Sequence, residues 1–133
     1  MKTNFTSRHL FIFINLFLIV DLSAQQTYKR VFGDTIKNED GYSLTQAYDG
    51  SFAVAGKRGN GPPANISYDV YLVKDKCGVL QWAKTYGGAA NDVAYSVQAT
   101  SDSGFIVVGS TKSFGAGLDD MFVMKVDENG DTL

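Results

Sequence analysis

One histidine and one cysteine are the only residues of the two types that nucleophilic catalysis and transition-metal binding most often use. A serine or cysteine nucleophile needs a neighbouring base, usually histidine, and zinc, copper and haem sites are built mainly from His and Cys. His9 falls within a predicted signal peptide, so the mature chain would contain no histidine. Cys77 lies in a short polar segment between two apolar runs and is interpreted as a turn residue. We therefore predict no catalytic residues and no enzyme.

Calcium is the one cofactor for which the sequence offers ligands. Asp127, Asn129 and Asp131 place oxygen-bearing side chains at alternate positions, as calcium-binding loops do. A complete loop supplies more ligands, among them a distal bidentate glutamate, and the corresponding residues 75–79 read DKCGV and lack the acids. A plain hairpin turn is the favoured interpretation, so no metal site is predicted, and calcium binding by these three residues is the alternative.

Two pairs of polar residues could be read as the paired carboxylates that glycoside hydrolysis uses. They are Asp119 with Asp120, and Asn91 with Asp92. Asp120 corresponds to Asp69 in the first half of the chain, and both stand just before a predicted strand. A catalytic residue need occur only once, whereas a structural residue recurs with every repeat. We favour a capping role at a turn or strand start, with a hydrolase as the alternative.

Trp82 and Tyr86 lie on a predicted outer strand, where aromatic rings could stack on sugars. Aromatic residues recur at the corresponding positions, Tyr28 and Phe32. This recurrence favours packing between repeated units, and carbohydrate binding is the alternative. The sequence does not identify binding residues.

The composition excludes one class of partner. The chain has 133 residues, 12 Lys and Arg against 14 Asp and Glu, and a formal net charge of −2. Nucleic acid is not expected as a partner, because binding a phosphate backbone requires a surplus of basic residues. The length suits at most one domain, and a single cysteine cannot form an internal disulfide.

The N-terminus has the pattern of an export signal. Lys2 and Arg8 precede residues 10–20, which are almost entirely apolar, and small residues up to Ala24 follow. This order predicts a secretory signal peptide over residues 1–24. The apolar run is too short to span a bilayer as a helix, which takes about 20 residues. We predict a secreted or cell-surface protein with no transmembrane anchor in this segment; the alternative is a buried N-terminal helix.

Residues 27–81 and 82–133 read as two copies of one unit. A period of about 52 residues falls in the range of architectures that place one supersecondary unit in each repeat. The corresponding segments are 32–33 with 86–87, 42–44 with 95–97, 52–56 with 105–109, and 69–74 with 120–125.

Each copy predicts β-strands, because short runs rich in Val, Ile, Phe and Tyr alternate with Gly, Asn and Asp clusters. Tyr95, Val97 and Ala99 are predicted to share one buried strand face, and the continuous apolar run 105–108 predicts burial on both faces. The predicted strands are Tyr42–Ala47, Phe52–Lys57, Val70–Lys74, Gln81–Tyr86, Tyr95–Thr100, Phe105–Ser110 and Met121–Val126, with an N-terminal strand at Tyr28–Phe32.

Turns and glycines complete the pattern. Asp49–Ser51 and Asp102–Gly104 predict tight hairpin turns, since Asp and Gly accept the backbone conformations that such turns need. Gly56 and Gly109 end the second strand run of each copy and predict either a close approach of the backbone or a sharp bend.

The second copy resembles a known repeat family. Its segments WAKTYGG (82–88), NDVAYSVQATSDSGFIVVGSTKSFGAG (91–117), DMFVMK (120–125) and DENGDTL (127–133) are similar to the seven-bladed β-propeller type repeats of secreted bacterial proteins. Relatives of this type occur in large secreted proteins with a C-terminal type IX sorting domain. The resemblance implies blades of four antiparallel strands that stack radially, which agrees with the strand pattern.

The resemblance also sets the expected domain limits. Residues 25–41 would carry a strand that completes a missing last blade, 42–86 the first blade, and 87–133 a second blade that stops before its fourth strand. Propellers close with about 4–8 blades. We therefore expect a fragment of a longer chain whose remaining blades are its partners, with a self-assembling two-blade protomer as the alternative.

The expected function is that of a non-catalytic β-propeller scaffold whose loops bind a ligand, an extracellular glycan or a protein. One alternative is a calcium- or carbohydrate-binding module. The other is part of a propeller hydrolase whose catalytic residues lie in missing blades, since the propeller fold does not fix function.

Overall fold

The computed structural model of the chain describes residues 29–33, 35–61 and 66–133. These residues form seven β-strands and no helix, arranged as one antiparallel sheet of four strands and one of three, each in chain order. The predicted all-β class is confirmed. The first sheet contains β1 (Glu39–Gln46), β2 (Phe52–Asn60), β3 (Ser67–Lys76) and β4 (Val79–Tyr86), and the second contains β5 (Asp92–Ala99), β6 (Phe105–Thr111) and β7 (Asp120–Val126).

Tight turns join the first two strands of each sheet. In the β1–β2 turn, Gly50 has a φ of +80°, and Asp49 Oδ1 accepts the main-chain N–H of Ser51 at 3.0 Å. In the β5–β6 turn, Ser103 has a φ of 66°, and Asp102 accepts a main-chain N–H two residues along at 3.3 Å. Asp favours such turns because its carboxylate can hold the backbone of the turn. Both predicted turns are confirmed.

The first strand of each sheet carries a β-bulge at a tyrosine. The pairing of β1 with β2 skips Tyr42, and the pairing of β5 with β6 skips Tyr95. Gly56 and Gly109 stand opposite these bulges, and a Cβ atom there would lie 1.7 Å and 1.9 Å from a main-chain oxygen of the first strand. The predicted close approach is confirmed at both glycines, since any side chain would collide with the neighbouring strand.

The bulge in β5 changes which side chains face the core. Simple alternation predicts that Tyr95 shares the buried face with Val97, and this prediction is wrong: Val97 is 5% exposed and Tyr95 is 55% exposed. An extra residue in one strand interrupts the alternation of side chains between the two faces. Ala94 and Val97 therefore both face the core. They are three residues apart, and in a regular strand such residues would face opposite sides of the sheet.

The two sheets pack face to face around one core. The second sheet contributes the bulky side chains of Phe105 and Val107, and the first contributes Leu72 with the small Ala53 and Ala55, all fully buried. Burying a side chain of the size of Leu, Val or Phe stabilises the fold by about 1.5–3 kcal/mol. These residues therefore hold the two sheets together.

The continuous apolar run of β6 is buried on one face only. Phe105 and Val107 face the first sheet, whereas Ile106 and Val108 lie on the outer face of the second sheet and are exposed. The predicted burial on both faces is wrong for the described residues, because none of them covers this outer face.

Side-chain hydroxyls of β1 cover main-chain N–H groups on the open edge of β5. Ser43 Oγ accepts the N–H of Val97 at 3.2 Å, and Thr45 Oγ1 accepts the N–H of Ala99 at 3.3 Å. Both strands are edge strands, where N–H groups lack a ladder partner on one side. The hydroxyls therefore fix β1 and β5 side by side along one edge of the stack.

The N-terminal strand predicted over residues 28–32 lies partly outside the described residues, which begin at residue 29. Residues 29–33 belong to no strand, and none of the described strands pairs with this segment. A strand needs main-chain hydrogen bonds to a neighbour, and the neighbour expected for this strand is a blade outside the chain, so it stays a prediction. Arg30, Val31 and Phe32 line an open cavity over the outer face of the first sheet.

The signal peptide predicted over residues 1–24 lies outside the described residues. In the part of the chain that the structure describes, no helix has the length and apolar character to cross a membrane.

Candidate functional site

Asp92 organises a hydrogen-bond network at the start of β5. Its Oδ2 accepts the main-chain N–H of Gly88 at 2.9 Å and the hydroxyl of Ser113 at 2.6 Å, and its Oδ1 accepts the hydroxyl of Thr111. Burial raises the pKa of Asp92, but these hydrogen bonds outweigh burial and hold the pKa below its ordinary value. The ionised carboxylate thus ties the β4–β5 connection to the β6–β7 loop.

Asp69 of β3 lies beside this network and is buried. Its Oδ2 accepts a hydrogen bond from Asn60 Nδ2 at 2.9 Å, whereas its Oδ1 is buried with no hydrogen-bond partner among the described residues. A Cβ atom at Gly87 would lie 2.5 Å from Asp69 Oδ1 and 2.7 Å from Asp92 Oδ2. Burial raises the pKa of Asp69, and the nearby Asp92 charge raises it further, against the opposing effects of Asn60 and Lys37.

The other acids considered for hydrolysis have separate partners. Asp120 Oδ2 accepts the main-chain N–H of Ala116 at 2.9 Å, and Asp119 forms an ion pair with a lysine of the same loop at 3.3 Å. Asn91 Oδ1 accepts the main-chain N–H of Tyr68 at 3.0 Å and so links the second sheet to β3. The predicted capping role is confirmed for Asp120, which holds the loop before its strand. It is wrong for Asp69, because β3 begins at Ser67 and Asp69 lies within the strand, paired with β2.

Trp82 and Tyr86 connect the two sheets. The indole N–H of Trp82 donates to the carbonyl oxygen of Glu128 at 2.9 Å, and the Tyr86 hydroxyl donates to that of Gly130 at 2.6 Å. The Trp82 ring also meets the Phe105 ring edge to face, with centroids 6.2 Å apart. Burial raises the pKa of Tyr86 to about 12. The favoured interpretation, packing between the units, is confirmed.

The three calcium candidates lie in the turn after β7 that Trp82 and Tyr86 hold. Asp127 Oδ1 accepts the main-chain N–H groups of Asn129 at 2.9 Å and Asp131 at 2.8 Å. Asp131 Oδ1 forms an ion pair with Lys84 Nζ at 2.6 Å. The described residues include no group of three or more His, Cys, Asp or Glu placed to hold a metal ion. The geometry is that of a carboxylate-braced turn, and calcium binding by Asp127, Asn129 and Asp131 stays an alternative prediction.

Cys77 occupies the two-residue turn between β3 and β4. Cys77 and Gly78 have φ angles of 52° and 81°, and the N–H of Gly78 donates to Asp75 Oδ1 at 2.9 Å. Positive φ at both central residues defines a type I′ hairpin turn. The thiol is free and exposed. The interpretation of Cys77 as a turn residue is confirmed by its position between the two strands.

A surface that sequence reasoning missed is formed by the rings of Tyr42 and Tyr95, here called the tyrosine platform. Their centroids are 6.0 Å apart with an interplanar angle of 39°, and the residues are 47% and 55% exposed. The hydroxyls of Tyr95 and Ser110 are 3.4 Å apart. The available signal was a tyrosine at corresponding positions of both copies, each after a small residue, Gly41 or Ala94.

Charged and aromatic side chains border this platform. Lys57 Nζ lies 5.8 Å from the centroid of the Tyr42 ring and 4.4 Å from that of Tyr68, and 3.3 Å from Asp40 Oδ2. The contact with Tyr42, followed by that with Asp40, raises the pKa of Lys57 above its ordinary value, against the effect of burial. The ammonium group therefore stays charged and is neutralised locally by Asp40.

Both sheets expose apolar side chains on the faces that point away from the core. On the second sheet, Val108 and its cross-strand neighbour Val123 are exposed. On the first sheet, Leu44 and Val54 line an open cavity of about 570 Å³. Large exposed apolar patches commonly mark surfaces that contact a partner.

No protein-family model matches the chain, and no curated protein matches it either.

Proposed function

We propose that the chain is part of a non-catalytic, secreted β-propeller scaffold that presents its exposed edges and loops to an extracellular glycan or protein. The observation that carries this proposal is that the polar atoms of the candidate site residues are engaged in hydrogen bonds within the fold. Asp92, Trp82 and Tyr86 all direct their polar atoms into hydrogen bonds that join loops or sheets. A general acid or base must instead reach the substrate.

The propeller part of the proposal is supported by the outer faces of the sheets. Val107 faces the first sheet, and its counterpart Val54 lies on the outer face of that sheet. Ala55 faces the second sheet, and its counterpart Val108 lies on the outer face of the second. The outer face of each sheet thus corresponds, in the repeat, to the face of the other sheet that packs in the core. We propose that further sheets, the remaining blades of a longer chain, cover both, as rings of about 4–8 blades require.

Secretion rests on the N-terminal pattern. The charged start, the apolar residues 10–20 and the small residues up to Ala24 support cleavage after residue 24. Expression in a bacterial host with fractionation and N-terminal sequencing tests this. We expect an exported protein that begins at Gln25. An intracellular protein that retains residues 1–24 would contradict the proposal.

The non-catalytic part is tested by incubating the chain with a panel of polysaccharides and measuring released reducing ends. We expect no release above the blank. An Asp92→Asn variant serves as the diagnostic control: it should melt at a lower temperature because it weakens a structural network. Release of reducing ends that disappears in a folded Asp92→Asn variant would instead establish the alternative in which Asp92 takes part in glycoside hydrolysis.

The calcium alternative has its own test. Isothermal titration with calcium chloride is expected to give no binding heat, because Asp127 and Asp131 already hold the turn and Lys84. Binding that is lost in Asp131→Asn but retained in Asp119→Asn, an exposed acid elsewhere on the second sheet's loops, would support the calcium-binding module.

A further inference from the structure

We propose that the tyrosine platform of Tyr42 and Tyr95 is a binding site for a neutral oligosaccharide. This inference rests on the proposed function and names the ligand class of that scaffold. It starts from the exposure of two aromatic rings, which lie 6.0 Å apart and are each about half exposed. Aromatic rings offer an apolar face of fixed shape at low cost in conformational entropy.

The backbone is specialised to expose these rings. Each tyrosine occupies a β-bulge, a device that re-aims a side chain and is common next to functional sites. Each bulge depends on a glycine opposite, Gly56 or Gly109, where a Cβ atom would collide with the first strand. Without the bulge in β5, Tyr95 would share the buried face with Val97. The fold thus places both tyrosines outside the core by the same means.

The bulges bring the two rings to one location because β1 and β5 lie side by side. The hydroxyls of Ser43 and Thr45 hold the main chain of β5 beside β1. The platform is therefore built on two edge strands that lie side by side, one from each packed sheet, rather than on a loop. Sites on such elements keep their geometry better than sites on loops.

Polar groups at the border of the platform match the hydroxyls of a sugar. Asp40 accepts hydrogen bonds, Lys57 donates them, and the Ser110 hydroxyl can do either. Asp40 lies 3.5 Å from the Tyr42 hydroxyl, and Ser110 Oγ lies 3.4 Å from that of Tyr95. A pyranose presents C–H groups to an aromatic face and hydroxyls around its edge, so it can use both kinds of group at once.

The electrostatics favour an uncharged ligand. Lys57 already stands over the rings of Tyr42 and Tyr68, which leaves less of their negative faces for a cationic ligand. Asp40 lies 3.3 Å from Lys57 and neutralises it, which removes the attraction for an anionic ligand. A neutral sugar fits this surface, because it combines an apolar face with hydrogen-bonding groups and carries no charge.

The test uses the full chain with neutral hexasaccharides: cellohexaose, xylohexaose, mannohexaose, maltohexaose and chitohexaose. Isothermal titration should detect binding of at least one at millimolar concentration or below. Tyr42→Ala and Tyr95→Ala should each weaken that binding about tenfold or more, equivalent to about 1.4 kcal/mol. Tyr95→Phe keeps the ring and should bind within about threefold of the unchanged chain.

Tyr48→Ala is the matched control, because Tyr48 is 77% exposed on the β1–β2 turn and lies outside the platform. It should leave binding unchanged, and circular dichroism should show that every variant is folded. The proposal is overturned if none of the five sugars binds, if binding survives both platform substitutions, or if only charged sugars such as oligogalacturonate bind.

Reducing ends measured in the same mixtures separate this inference from the proposed function. Binding without release supports both. Release of reducing ends contradicts the non-catalytic scaffold, while the variants still decide the platform. If no sugar binds, the proposed binding site is overturned, and the scaffold proposal is decided separately by the reducing-end and secretion experiments.

Discussion

Asp69 Oδ1 and Asp92 Oδ2 face one another across Gly87, whose missing side chain leaves the space between them. Asp69 Oδ1 is buried with no hydrogen-bond partner in the part of the chain that the structure describes, whereas Asp92 Oδ2 accepts two hydrogen bonds. Two carboxylates in this arrangement repel each other when both are ionised. Asp92 is held in its ionised form, so the electrostatic cost of the pair falls on Asp69.

Asp69→Asn is therefore expected to stabilise the protein at neutral pH. The amide oxygen of the variant can still accept the hydrogen bond from Asn60, and its NH₂ group can donate one toward Asp92. The substitution thus removes a buried unsatisfied oxygen, which costs about 1–3 kcal/mol of stability. The pKa of Asp69 is raised in the folded state, so the protonated side chain favours folding at acid pH. This stabilisation is lost as the pH rises through the folded-state pKa and Asp69 ionises. Urea unfolding at several pH values should show a gain for the variant that grows with pH. Asp120→Asn, at the corresponding position, should show no such gain.

Ser51→Ala is expected to reduce the sensitivity of the fold to acid. Hydrogen bonds from Ser51, followed by the charges of Lys74 and Lys76, lower the pKa of Asp49 to about 2. A lowered folded-state pKa gives stability that is present above the unfolded value of about 3.9 and is lost as the pH falls through about 2. Since Asp49 is largely solvated, solvent screening keeps the effect below about 1 kcal/mol.

The measurement is the free energy of unfolding in both proteins from about pH 4 to about pH 2, which runs from the unfolded pKa of Asp49 down to its folded value of about 2. The variant should lose less stability over this window than the unchanged chain. In an Asp49→Asn background, Ser51→Ala should no longer alter the slope. An unaltered slope in the single variant would show that Asp49 is not responsible.

Cys77→Asn is expected to raise the melting temperature. A non-glycine residue in the left-handed region costs about 1–2 kcal/mol, and asparagine tolerates this region better than cysteine. Asn-Gly is also the preferred pair for a type I′ turn. A gain of about 1 kcal/mol is the expected result in thermal unfolding. Cys77→Val, with a β-branched side chain at the same φ, should instead destabilise, and the reverse order would contradict the turn assignment.

Gly109→Ala is expected to destabilise the second sheet by about 2 kcal/mol or more, because the methyl group would meet a main-chain oxygen of β5. Gln98→Ala, at an exposed position further along β5, should change stability by less than about 0.5 kcal/mol. Near-ultraviolet circular dichroism should show an altered tyrosine signal only in Gly109→Ala, because Tyr95 occupies the affected bulge. Equal effects of the two substitutions would argue against the bulge as a designed feature.

The sequence predicts the strands well where apolar residues dominate. All seven described strands coincide with a predicted run, but β1, β3 and β5 begin three residues earlier than predicted, at Glu39, Ser67 and Asp92. These first residues are polar, so hydropathy gives no signal for them. Glu39 joins the ladder through an ion pair with Arg58 at 3.2 Å, and Asp92 joins it by accepting the Thr111 hydroxyl of the neighbouring strand.

The tyrosine platform could not be predicted from local pattern alone. Period-two alternation places Tyr95 with Val97, and only the bulge separates them. The bulge is specified by Gly109, fourteen residues further along, through contact between strands. The turns at Asp49 and Asp102 were predictable because their chemistry is local, with carboxylate and backbone two residues apart.

The hydroxyls of Ser43 and Thr45 have a consequence for self-association. A strand edge recruits other strands through its unpaired N–H groups, and this is how fibrils elongate. Along β5 the donors of Val97 and Ala99 are already engaged. Growth by strand addition, the process that elongates amyloid fibrils, is thus hindered where Val97 and Ala99 face this edge.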